Sequence, residues 1–196
     1  PLILIPTLAF GDNVDVTRNT VEECYNQVIT DLTEAESLLP ESNDVFINKY
    51  TAAALLARVY LQKADYAAAR DAANRVIASG DYELNNTYAE CFAQDDPTDE
   101  DIFSAENSEL DNSNVMVTYF AINDFGGRAD IEIEESHLAL YDDLDARKAM
   151  FFVDGDATFT SKFNNEFGNL SIIRLAEMYL IRAECNSRLG TAIGAE

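Results

Sequence analysis

The amino-acid sequence predicts a mainly α fold, with tetratricopeptide-like antiparallel helix pairs, long irregular loops and a few short strands. Three observations predict it. Apolar and small residues recur in steps of three and four over 21–39, and helix-forming runs follow at 52–61, 66–78 and about 172–189. Alanines crowd the second and third of these runs, where two helices must approach closely. The chain is 47% hydrophobic and 25% charged, which suits a folded core rather than disorder.

Each element has its own warrant. Thr20-Val21-Glu22-Glu23 has capping-box form, with Thr20 as N-cap and Glu23 reaching back. Val21, Cys24, Val28, Leu32, Ala35 and Leu39 then make one stripe, expected to be buried, and Pro40 ends the helix. After a linker over 41–50, Thr51 is the expected cap of a second helix carrying Ala52, Leu55, Leu56, Val59, Tyr60 and Leu61. A third helix fits 66–78, with Ala69, Ala73, Val76 and Ile77 inward and Gly80 at the left-handed position past its end. Ile102-Phe103-Ser104-Ala105 reads as a short strand. The stretch 107–128 reads as a loop rich in Asn and aromatics that ends in Gly126-Gly127, and 136–141 reads as a short helix. The last helix runs from about Ile172 to Leu189 and stops at Gly190.

Charge narrows the function classes. Thirteen Lys and Arg stand against thirty-six Asp and Glu, a formal net charge of −23. Such a surface repels phosphate backbones and anionic lipid, which excludes nucleic acid as a partner. Cys24, Cys91 and Cys185 are too few and too scattered for a disulfide framework or a Cys-rich zinc site, and read as buried thiols. The opening Pro1-Leu2-Ile3-Leu4-Ile5-Pro6 is apolar but too short for a membrane span and lacks the basic start of a signal peptide. It is expected to be a cut from inside a longer chain.

The chemistry-bearing residues argue against an enzyme. His137 is the only histidine, so a multi-His metal site or a His-dependent triad cannot be built from these residues. The acids at 95–101 could supply paired carboxylates, but they surround Pro97 and read as a solvated turn. Calcium could sit there or at Asp154-Gly155-Asp156, yet neither has full EF-hand spacing, and a turn is the expected reading. Arg174, Glu177, Arg182 and Glu184 read as structural charges that pair with neighbouring helices or water, and Asp145 and Arg147 as turn and packing residues. No Gly-rich phosphate loop is present, and no cofactor is expected.

A specific order of local patterns runs along the chain. Val16-Thr17-Arg18 precedes the segment from Val21 to Leu32, which is followed by Leu38-Leu39-Pro40. Next come Ala52 to Leu61, Ala72 to Leu84 with its Ser79-Gly80-Asp81-Tyr82 turn, and Glu100-Asp101-Ile102-Phe103. Tyr141-Asp142, Asp145-Ala146-Arg147-Lys148 and Ile173-Arg174-Leu175-Ala176-Glu177-Met178-Tyr179-Leu180-Ile181-Arg182-Ala183-Glu184 complete the series. This series resembles the SusD/RagB family of Bacteroidetes outer-membrane glycan-binding lipoproteins.

The resemblance implies a helical protein at the cell surface without covalent chemistry. It would capture oligosaccharide or another nutrient and deliver it to a SusC-like TonB-dependent transporter. Membrane attachment would come only through a lipid anchor outside this sequence. The chain would be a fragment of a single helical domain, with a repeat core at about 20–80 and 171–190 and a ligand-facing, loop-rich region at about 85–170. Members often stack sugars on Trp, and this chain has none. The alternative is a tetratricopeptide adaptor that binds a protein or peptide.

A sugar offers apolar C–H faces and a hydroxyl rim, so its site needs flat aromatic surfaces beside amides, carboxylates or a guanidinium. The 107–128 stretch supplies Tyr119, Phe120 and Phe125 with Asn112, Asn114, Asn123, Asp124 and Arg128. These are the expected ligand contacts. The competing reading has Phe120 and Phe125 anchoring the loop and the Asn residues making turns.

Overall fold

In the computed structural model, residues 2–4, 6, 9, 17–92, 94–110 and 114–194 are described. Pro1, Ile5, Asn112 and most of the polar stretch over 11–19, Val16 among it, lie outside them. The helical frame is α1 (Val21–Leu38), α2 (Lys49–Gln62), α3 (Tyr66–Ser79) and, far along the chain, α6 (Leu175–Leu189). These pack in the order α1, α2, α3, α6, each against the next. This is the mainly α, tetratricopeptide-like arrangement of antiparallel helix pairs.

The alanines explain how closely the frame packs. Ala53, Ala54 and Ala57 of α2 and Ala69, Ala72 and Ala73 of α3 are fully buried, so the backbones meet with little between them. Leu56, Val76, Met178, Ile181 and Cys185 fill the remaining space, with Ile102 and Ile173 below. Charge ties the same helices at their rims. The Arg58 guanidinium donates to both Glu177 carboxylate oxygens, at 2.6 and 2.5 Å, and Arg75 holds Glu36 at 2.7 and 2.8 Å.

The helix ends follow local chemistry, with two departures from expectation. Thr20 Oγ1 accepts from the Glu23 amide while Glu23 accepts from the Thr20 amide, the expected capping box. Gly80 takes the left-handed turn at φ 71°. Helix α2, however, begins earlier than expected. Asn48 is its cap and accepts from the Tyr50 and Thr51 amides, while Thr51 sits one turn inside and donates to the Ile102 carbonyl at 3.2 Å. The α1 stripe is also less covered than expected. No α1 residue is fully buried, and Val21 is 73% exposed. A helix at the end of a stack has only one neighbour to bury its apolar face against.

Two small sheets complete the fold. β1 (Asp101–Ala105) pairs antiparallel with β4 (Leu170–Arg174), with irregular register around Phe103. β2 (Phe151–Asp154) and β3 (Ala157–Thr160) form a hairpin that turns at Gly155. β4 leads directly into α6, so the helix starts at Leu175 and Ile172–Arg174 are strand rather than first turn. The β1–β4 pair closes the neck of an excursion over 106–169. That excursion is not a plain loop: it holds α4 (Val115–Phe120), α5 (Glu135–Leu138), the hairpin and several 3-10 turns.

Candidate functional site

The excursion is held rigidly at its base. The Asn114 side chain caps α4 by accepting from the Met116 amide, and its amide group donates to the Gly168 carbonyl. After α4 the chain doubles back, and the Arg128, Asp130 and Ile131 amides donate to carbonyls of Thr118 and Tyr119. Gly127 makes this return possible, since a Cβ there would collide with the carbonyls of Ala121 and Val117.

The return brings Tyr119 and Arg128 together at the surface. Tyr119 is 42% exposed, and the Arg128 guanidinium lies over its ring at 5.1 Å from the centroid. Asp130 pairs with that guanidinium, so the pair carries no surplus charge. Asn123, Asp124 and Phe125 form the adjoining 3-10 turn, and all three are exposed. Phe125 still meets Phe152 of the hairpin at 6.4 Å, and Phe120 is half-buried against Phe163 at 5.2 Å. Of the expected contacts, Tyr119, Arg128, Asn123 and Asp124 thus reach solvent freely. Phe120 and Asn114 have packing and capping duties, and Asn112 lies outside the described residues.

A second concavity was not visible in the sequence. Four separate segments build it: the 3-10 turn at Ala89–Cys91 with Phe92, Met116 of α4, the turn at Ser161–Phe163, and β4. It is a cleft of about 380 Å³, lined largely by apolar side chains, with Lys162 and Arg174 on its wall. The Lys162 ammonium lies 4.8 Å from the Phe92 ring centroid and 5.3 Å from that of Tyr88, and Arg174 lies 5.2 Å from Phe92.

Behind the cleft sits Glu100, which corrects the reading of 95–101 as a wholly solvated turn. Glu100 is 3% exposed. One of its oxygens accepts from the Asn85 amide at 3.1 Å and from the Cys91 thiol at 3.4 Å, and the other faces Arg174 at 3.7 Å. A buried carboxylate needs such partners. Burial pushes the Cys91 thiol pKa up, which keeps it a protonated donor rather than a nucleophile. Elsewhere, Asp154-Gly155-Asp156 is the hairpin turn, and Asp145 caps a 3-10 turn while the Arg147 guanidinium holds its carboxyl down at about 2. His137 is exposed and bonds the Tyr141 hydroxyl at 3.1 Å. No group of three or more metal-ligating side chains occurs among the described residues, and no helix of the described residues is long and apolar enough to cross a membrane.

Comparison with known proteins places this arrangement. A family model described as SusD-like, starch-binding and associating with the outer membrane, matches residues 4–61. A search of curated protein sequences found no match. Among solved structures, a SusD superfamily protein from Bacteroides vulgatus superposes with a TM-score of 0.77 at 28% identity, covering 88% of this chain and 44% of that one. A SusD-like carbohydrate binding protein from the same organism gives 0.69 at 25% identity, covering 88% and 41%. Surface glycan-binding protein A from Bacteroides thetaiotaomicron, in complex with laminarihexaose, shares the fold with a TM-score of 0.71 at 18% identity, covering 86% and 50%. The chain therefore spans half the length of these proteins or less. The family model falls on the first helix pair, and the superposition runs through the excursion to α6, so the chain is similar to SusD superfamily proteins in sequence and in fold.

Proposed function

We propose that this chain is part of a non-catalytic glycan-binding protein at the outer-membrane surface, one that captures oligosaccharide and delivers it to a SusC-like TonB-dependent transporter. Residues 85–170 are its ligand-facing region and the helical frame its support. One observation carries the reading: an exposed Tyr119 ring, with a charge-neutral Arg128–Asp130 pair beside it, stands on a frame shared with a carbohydrate binding relative. The ring offers a flat face to sugar C–H groups, and the guanidinium and the Asn123 amide offer bonds to hydroxyls. Membrane attachment is through a lipid anchor outside this sequence.

Calorimetric titration of the full mature protein with a panel of neutral oligosaccharides tests the site. Tyr119→Ala and Arg128→Ala should each weaken binding of the ligand found by about tenfold, as loss of a stacking face or a charged hydrogen bond does. If both variants stay folded and bind as tightly as the parent, the site is not here. No reducing sugar should appear on prolonged incubation.

A further inference from the structure

We propose that the Phe92–Lys162–Arg174 cleft is a subsite for an acidic sugar, taking the carboxylate of a uronic acid residue in a bound glycan. The inference rests on the glycan-binding reading and adds the ligand's charge to it.

Local charge carries the argument. The cleft wall presents two cations, Lys162 and Arg174. Arg174 is offset by the buried Glu100 carboxylate behind it. Lys162 has no acidic partner among the described residues and lies half-buried over the Tyr88 and Phe92 rings. The cleft therefore holds one surplus positive charge in a chain of net charge −23. A lysine held this way has lost part of its water shell and gained only ring faces in exchange. One carboxylate entering the cleft would supply the missing partner.

The remaining chemistry suits a sugar. Met116, Phe163 and Ile172 give an apolar lining for ring C–H groups, and Ser171 offers a hydroxyl beside them. The volume lies toward the small end of ligand pockets, which suits a terminal or single saccharide residue rather than a long chain. The acidic surface elsewhere does not forbid this, because charges more than about 8 Å away are largely screened at physiological ionic strength. The Tyr119–Arg128 surface, by contrast, is charge-neutral and suits an uncharged ring.

The test is titration of the full mature protein with an oligogalacturonate, with its methyl ester, and with the neutral oligosaccharide panel. The acid should bind more tightly than its ester. Lys162→Gln should lose about tenfold or more for the acid, as loss of a charge-assisted bond does, while leaving ester and neutral ligands unchanged. Lys162→Arg should keep acid binding within a few-fold. Equal affinity of acid and ester, no binding of the acid, or an unchanged affinity in a folded Lys162→Gln overturns the proposal. Neutral binding that responds to Tyr119→Ala, with no effect of Lys162, leaves the glycan-binding reading standing and removes this one. Acid binding lost in Lys162→Gln, with no neutral ligand found, supports the subsite and removes the Tyr119 surface.

Discussion

Leu56 lies 1% exposed in the α2 face that meets α3 and α6, and six of the twelve other buried residues of that core are alanines. Leu56→Ala removes its branched end and leaves a cavity. Core truncations of this kind cost about 2–5 kcal/mol, depending on how far the surroundings can collapse. Here collapse is restricted. Ala53, Ala57, Ala69 and Ala73 are short side chains on rigid helices, so closing the hole would mean moving a backbone rather than turning a side chain. The upper half of the range, about 3–5 kcal/mol, is expected. For a domain of this size that lowers the melting temperature by roughly 6–20 °C. Urea unfolding followed by far-ultraviolet circular dichroism measures it, with Leu144→Ala, at a residue 95% exposed, as the control expected within about 0.5 kcal/mol of the parent. A loss below about 1 kcal/mol for Leu56→Ala, at an unchanged denaturant slope, would refute this account of the core.

Two further outcomes follow from local geometry. Gly127→Ala drives a Cβ into the carbonyls of Ala121 and Val117, so the return of the chain beneath Tyr119 must open. A destabilisation of about 1–3 kcal/mol is expected, with faster proteolysis within 121–131 as its readout. The Glu23 carboxyl has its pKa lowered, chiefly by the Thr20 amide and then by Asn19 and the Thr20 hydroxyl. A depressed carboxylate contributes its stability above its unfolded value of 4.5 and loses it as pH falls through the lower folded value. The stability difference between parent and Glu23→Ala should therefore be present at pH 6 and shrink on titration to pH 3. That difference is the proper readout, since protonating the other acids of a −23 chain relieves repulsion in both proteins alike.

The helical frame was legible because periodicity and capping are local. Thr20-Val21-Glu22-Glu23 states a helix start in four residues, and Gly80 states an end in one. Thr51 misled for a physical reason: it is a good cap residue, but Asn48 precedes it by one turn, and Thr51's hydroxyl was needed inside to reach Ile102. Ile172–Arg174 misled because an apolar run next to a helix gives no sign that β1, some seventy residues earlier, will pair with it. The same limit hid the cleft. Phe92, Met116, Lys162 and Arg174 are spread over more than eighty positions and share no spacing, and their segments meet through the β1–β4 neck and the packing of α4 on the Ser161–Phe163 turn. Tyr119 and Arg128 could be named from composition, yet their contact depends on the fold-back at Gly127.

Where the thirteen cations go also bears on how the frame and the site divide their work. In the frame they bind helix to helix: Arg58 joins α2 to Glu177 of α6, Arg75 joins α3 to Glu36 of α1, and Arg182 of α6 bonds Asn74 of α3 at 2.9 Å. Half-exposed pairs of this kind contribute little stability each, about 0–1 kcal/mol, but they fix which helix faces which. Arg174 does the same at the neck of the excursion by facing Glu100. Among the described residues, nine of the thirteen cations pair with a carboxylate and four, Arg18, Lys63, Lys162 and Arg182, do not; Lys63 and Arg182 bond Asn side chains instead. Lys162 is among the four, and it stands in the excursion rather than in the frame. If its only duty were packing, an uncharged side chain of similar length would cover Tyr88 and Phe92 without keeping a half-buried charge unpaired. The retained charge is what an anion arriving from outside would use.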